Sequence, residues 1–134
     1  AFSLFLKSAE QGDPLAENAL AIMYAKGTAT AQDYGEAIRW FMRSAEHGYA
    51  EAEMNIARMY LKGRGVEKSG AAVVKWVRRA AEHGNAEAQY SLGNMYITGR
   101  LVRQDSMEGL RWMAEAAAQG EERAAELLRL LRQG

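Results

Sequence analysis

The chain has 134 residues, 49% of them apolar, and its 17 cationic and 17 acidic side chains leave no net charge. That is one domain's worth of material with enough apolar residues for a core, and it is neither a disordered nor a fibrous composition. The missing basic excess argues against nucleic acid or an anionic membrane as the partner, and the lack of cysteine removes disulfides and thiolate metal sites while suiting cytoplasm and periplasm alike.

An internal repeat organises everything that follows. Trp40, Trp76 and Trp112 stand 36 residues apart. The pair Met23-Tyr24 recurs as Met59-Tyr60 and Met95-Tyr96, and Gly27, Gly63 and Gly99 keep the same step. So do Gly12, Gly48, Gly84 and Gly120. Full copies occupy 14–49, 50–85 and 86–121; residues 1–13 match the end of a preceding copy and 122–134 the start of a following one.

In chain order, the opening Phe2-Ser3-Leu4-Phe5-Leu6 is apolar but has no basic flank and runs into Lys7 and Glu10. It is not an intact signal peptide, and no run along the chain approaches the roughly 18 apolar residues of a membrane span. Leu4 holds the Trp position of a half-copy that Gly12 closes. Each full copy then begins with a helix A over its first 13 positions: 14–26, 50–62 and 86–98. Ala52, Ile56, Met59 and Tyr60 show the helical spacing of its apolar face. Gly27, Gly63 and Gly99 stop it, since glycine adopts the left-handed backbone without a Cβ clash.

A seven-residue connection follows, ending on Asp33, Ser69 or Asp105 as the N-cap of helix B. Asp33 with Glu36, and Asp105 with Glu108, have the spacing of a reciprocal capping box. Helix B runs to about Glu46-His47, Glu82-His83 and Ala118-Gln119 before the closing glycine. Small residues recur at Ala16, Ala52 and Ala88, at Ala21, Ala57 and Gly93, and at Ser44-Ala45 and Ala80-Ala81, where neighbouring helices approach closely. No segment alternates with the period of a strand. One hairpin cannot cover its own apolar face, so the copies stack. The expectation is an all-α chain: one domain, 1–134, forming a right-handed α/α superhelical solenoid of 36-residue hairpins with about eight helices.

The run Ala86-Glu87-Ala88-Gln89-Tyr90-Ser91-Leu92-Gly93-Asn94-Met95-Tyr96-Ile97-Thr98-Gly99 resembles the helix A signature of the Sel-one-like repeat family. Gly63-Arg64-Gly65-Val66 is similar to that family's loop, and Trp76 with Arg79-Ala80-Ala81-Glu82-His83-Gly84 to its helix B. The resemblance covers the whole chain. The related tetratricopeptide hairpin has a period of 34 and a shorter loop. Ala29-Thr30 and Leu101-Val102 stand where the second copy has Gly65-Val66, so those two loops are expected to differ locally from it. The resemblance implies an adaptor that scaffolds signalling or assembly complexes, many of them bacterial.

Chemical sites are weakly represented. His47 and His83 share one repeat position but lack further metal ligands. A histidine at a helix C-terminus suits the dipole and the last carbonyls, so no metal is assigned. The stretch Gly63–Gly70 lacks the Gly-Lys-Ser/Thr ending of a phosphate loop and follows a helix, which makes it a repeat connection. The tryptophan and Met-Tyr columns are assigned to packing. No nucleophile–base–orienter set stands out, so no catalytic residue and no cofactor is assigned.

By family analogy helix A lines the concave face, and the side opposite its core stripe holds positions that vary from copy to copy. The expected contact residues are Asn18, Ile22, Met54, Arg58, Leu61, Lys62, Tyr90, Asn94 and Ile97. Aromatic, Met and Arg side chains among polar ones are interface composition. The expected partner is a protein or peptide, not nucleic acid or a membrane. The alternative is self-association through the terminal helices, where Ala124, Leu128 and Leu131 hold core positions and Leu127 and Leu130 lie off the stripe.

Overall fold

The computed structural model describes residues 2–133. Eight helices and no strand occur among them: α1 Phe2–Glu10, α2 Pro14–Lys26, α3 Tyr34–Glu46, α4 Ala50–Lys62, α5 Gly70–Glu82, α6 Ala86–Thr98, α7 Ser106–Ala118 and α8 Glu122–Gln133. The expected helices are all present. Helices α2, α4 and α6 are the A helices, and α3, α5 and α7 the B helices. Residues up to Trp76 form one compact unit and those from Val77 another.

In the first unit α2 packs on α1 and α3, and α3 on α4. The side chains that hold these contacts are the recurring ones. Leu20 and Ile56 are fully buried, as are the small residues Ala21, Ala37 and Ser44. The Ser44 hydroxyl donates to the Pro14 carbonyl at 2.7 Å, so the small polar residue satisfies itself across the α2–α3 contact. In the second unit α7 packs on α6 and α8. Leu92, Met113, Ala116 and Ala124 are fully buried there. Backbones approach closely where Gly93 and Gly109 face each other. A Cβ on Gly109 would stand 2.6 Å from Ile97 Cγ1 and 2.8 Å from the Gly93 carbonyl oxygen.

Each tryptophan is buried with a cation laid on its ring: Arg43 over Trp40 at 4.6 Å, Lys75 over Trp76 at 5.2 Å and Arg111 over Trp112 at 4.8 Å. The assignment of that column to packing agrees with its burial, and the cation lies on the face of each ring.

Two local expectations need correction. Ala29 and Leu101 do not give their loops a different shape: they take φ of 64° and 68°, close to the 73° of Gly65. The seven-residue span between helices A and B imposes the left-handed residue whether or not a glycine is there, at a cost of about 1–2 kcal/mol for a side chain. The capping boxes are only half made. Asp33 Oδ1 accepts from the Glu36 N–H at 3.0 Å and Asp105 Oδ1 from the Glu108 N–H at 3.1 Å. The glutamates do not reach back, because the cap N–H groups are already donated to the Tyr24 and Tyr96 carbonyls, each at 2.8 Å. Glu36 and Glu108 instead pair with Arg39 and Arg111 one turn on.

Candidate protein-binding surface

The nine residues expected to meet a partner separate into three groups. Ile22, Arg58 and Lys62 come together around a cavity of about 230 Å³ in the first unit, and Leu61, next to Lys62 on α4, is 47% exposed. Asn94 is also exposed, on α6.

Asn18 and Met54, by contrast, are buried, at 8% and 5% exposure, and cannot touch a partner directly. Their repeat position faces the neighbouring helix rather than solvent, because the apolar stripe of α2 and α4 is wider than the narrow seam assumed from spacing. Asn18 still contributes: its Oδ1 accepts from Asn55 Nδ2 at 3.2 Å, and Asn55 Oδ1 accepts from Arg58 Nη1 at 2.8 Å. The buried amide thereby helps orient an exposed guanidinium.

Tyr90 and Ile97 are half-buried and pack against the Met113, Ala116 and Ala124 cluster. Arg123 lies over the Tyr90 ring at 4.3 Å, held by Glu121, whose carboxylate accepts from Arg123 Nε at 3.1 Å and Nη2 at 2.9 Å. That bonding holds the Glu121 carboxyl below the usual carboxylate range. Tyr90 and Ile97 thus serve the core of the second unit more than an open face. Leu127 joins the same cluster, whereas Leu131, expected inside, is 52% exposed.

The cavity beside Arg58 has an apolar floor and a charged rim. Phe41 and Met59 are buried beneath it, with Ile22 and Ala25 half-exposed among the walls. Lys26, Arg58, Lys62 and Arg64 are exposed at its edge, and no carboxylate lines it. Tyr34, at the first turn of α3, closes one side with the Arg64 guanidinium 5.5 Å from its ring centre. The α4–α5 loop reaches Tyr34 because residue 65 is glycine: a Cβ there would sit 2.6 Å from the Tyr34 carbonyl oxygen. Spacing along one helix could not place Tyr34, Phe41 or Arg64 at this site, since they come from helix B and the loop.

A second arrangement went unnoticed in the sequence. Glu17, Glu53 and Gln89 share one repeat position and all three are buried. Glu17 is 1% exposed, and its two carboxylate oxygens accept no hydrogen bond from any described residue. Its counter-charges are Arg43 Nε at 3.4 Å and His47 Nε2 at 3.6 Å. Burial outweighs them and raises the carboxyl above its ordinary 4.5. In the third copy the same place is neutral: Gln89 Nε2 donates to the Ala81 carbonyl at 3.1 Å and Gln89 Oε1 accepts from Gln119 Nε2 at 2.8 Å. His47 therefore faces a buried acid as well as a helix end. A polar residue recurring one place from the apolar stripe was the available signal.

The Sel1 repeat pattern matches residues 1–13, 14–49, 50–85 and 86–121. The chain belongs to the Sel1 repeat family. Proteins of this family are generally protein–protein interaction modules and typically not enzymes. A Sel1 repeat protein from Oxalobacter formigenes is 38% identical, with a TM-score of 0.86 over 93% of this chain and 94% of that one. A protective antigen of uropathogenic Escherichia coli strains, displaying an SLR fold, is 37% identical with a TM-score of 0.84. The match covers 92% of this chain and only 27% of the antigen. Helicobacter pylori cysteine rich protein B shares the fold at 13% identity and a TM-score of 0.72. Among curated proteins none matches. No helix among the described residues of this Sel1 repeat chain is long and apolar enough to cross a membrane.

Proposed function

We propose that the chain is a bacterial scaffold that holds a partner protein or peptide on the exposed side of its A helices, in signalling or complex assembly. The observation that carries this reading is the cavity between α2 and α4, where Ile22, Arg58 and Lys62 converge over an apolar floor, together with the exposed Leu61 next to Lys62 on α4. Apolar anchors ringed by polar side chains are what a protein interface core requires. Asn94 is exposed on α6 of the second unit, while Asn18, Met54, Tyr90 and Ile97 support the helices rather than touch the partner. The test is a photocrosslinking residue at Leu61, with the Arg58→Glu, Lys62→Glu double variant as control. Crosslinking of one partner, lost in the double variant, is the expected result. Equal crosslinking by both proteins would move the partner to another face.

Self-association is the second reading, favoured by Leu130 and Leu131 on α8, each more than half exposed. It requires a concentration-dependent rise in mass by light scattering that Leu130→Asp abolishes. A constant monomer mass at high concentration would remove it.

A further inference from the structure

We infer that the second unit carries a docking site for one lysine or arginine side chain, presented by a basic segment of a partner protein, in the cavity between the end of α5 and α7. The site goes beyond the function proposed above and does not use the α2–α4 cavity. Its volume is about 460 Å³. Glu82 and Glu115 line it, with Trp112, Ala81 and Ala118 as an apolar surface for an aliphatic stem. Arg111 is the one cation among its lining residues, and Glu108 already binds that guanidinium, accepting from Nε at 3.0 Å and from Nη2 at 2.8 Å. Glu115 acts on Arg111 through space, but neither the Glu82 nor the Glu115 carboxylate forms a salt bridge with a described residue. Two acids therefore share the opening with a cation that a third acid occupies.

The helix ends add to the field. Glu82 is the last residue of α5, and Glu115 lies in the last turn of α7. The dipole and the unpaired carbonyls make such an end negative, so an acid there is unfavourable until a cation arrives. The first turn of α6 offsets little of this, because the Ala88 N–H already donates to Asn85 Oδ1 at 2.8 Å. The floor is polar and neutral: Gln89 donates to the Ala81 carbonyl and accepts from Gln119 Nε2, which leaves Gln119 Oε1 as a further acceptor. Packing alone does not account for the acid on α7. Glu82 keeps to the repeat, with Glu46 one period before it, but the place of Glu115 holds Lys7, Arg43 and Arg79 in the earlier copies. Arg43 stands 3.4 Å from the buried Glu17. The neutral Gln89 needs no such cation, and an uncharged side chain would have served there equally well. The occupant is a protein segment and not a free amine. Glu82, Gly84, Glu115, Ala118 and Gln119 are all exposed, whereas a small-molecule site buries most of its ligand. A side chain carried on a longer chain gains further contacts outside the cavity.

The test is heteronuclear NMR of the isotope-labelled whole chain, titrated with the end-blocked peptide Gly-Ser-Lys-Ser-Gly, its arginine counterpart and its acetyllysine counterpart. The two charged peptides should shift the side-chain amides of Gln89 and Gln119 and the backbone amide of Gly84. The acetyllysine peptide, with the same stem and no charge, should bind at least about tenfold more weakly, and added salt should weaken only the charged ones. Glu115→Arg, which restores the residue type of the earlier copies, should abolish the shifts, and Glu82→Gln should reduce them independently, both with unchanged melting curves. Equal binding of the acetyllysine peptide overturns the inference, as does the absence of shifts at millimolar peptide. Shifts that persist in Glu115→Arg place the cation elsewhere and overturn it too. Binding of free lysinamide as tight as that of the peptide overturns the protein segment as the occupant. The α2–α4 reading is untouched by any of these failures, since its crosslinking test reads Leu61, Arg58 and Lys62.

Discussion

Replacing Glu17 by glutamine should stabilise this protein at neutral pH. The side chain is 1% exposed, so ionising it in place costs several kcal/mol of hydration. Arg43 repays part of that, and His47 adds to it only when protonated. At about 3.5 Å a full charge attracts the carboxylate by roughly 5 kcal/mol at an effective dielectric of ~20, and by about 1 kcal/mol in water. Arg43 and His47 are 45% and 47% exposed, so solvent screens them toward the weaker limit. Neither makes a hydrogen bond to the acid, and burial prevails, raising its pKa. Glu17→Gln removes the charge while keeping the shape, and the repeat register supplies a partner. Gln89 donates to the Ala81 carbonyl, and two periods earlier the buried Ala9 holds the corresponding place.

The expected gain is about 1–2 kcal/mol at pH 7, in the range seen when buried ion pairs are replaced by neutral groups. It corresponds to a rise of roughly 3–6 °C in Tm for a chain of this size. The pH dependence follows from the direction of the shift. A carboxyl with a raised folded pKa binds its proton more tightly in the native state. Its contribution is therefore intact below the ordinary 4.5 and is lost as pH rises through the folded value. The gap between variant and wild type should be small at pH 4 and should open between pH 4.5 and neutrality. Urea unfolding followed by circular dichroism at pH 4, 5, 6 and 7 measures it. A loss of stability in the variant that is the same at every pH would refute the reasoning, and would make Glu17 a favourable ion-pair anchor.

The other expectations concern the backbone. Gly109→Ala should destabilise by about 1–3 kcal/mol, because its Cβ would meet Ile97 and the Gly93 carbonyl within 3 Å; unchanged denaturation midpoints would mean that α6 and α7 slide apart freely. Ala29→Gly should gain roughly 0.5–1 kcal/mol, the relief of a left-handed alanine minus the entropy of a freer unfolded chain. Thermal melts read it, and a lowered Tm would show that the loop tolerates positive φ without strain.

The hairpin plan was legible because its causes are local. Helix A ends at Gly27, Gly63 and Gly99 with the cap glycines at φ of 71°, 69° and 75°, and Asp33 and Asp105 cap helix B as their spacing requires. The recurring alanines marked the helix contacts for the same reason: only a small side chain lets two backbones come so near. The candidate surface was less legible. Position along one helix separated Arg58, Leu61 and Lys62 from the core but put Asn18 and Met54 on the wrong side, since an angle on a helical wheel does not say how far the neighbouring helix reaches around it.

Sequence by itself determined the period, the helices, their ends and the membership of a repeat family, because propensity, capping and apolar spacing act within a few residues. Tertiary structure decided which polar groups share a space. It brought Tyr34, Phe41 and Arg64 to Ile22, Arg58 and Lys62, and it closed α2 and α3 over Glu17. Those meetings depend on distances between segments far apart in the chain, and a pattern of residue types carries no measure of such distances.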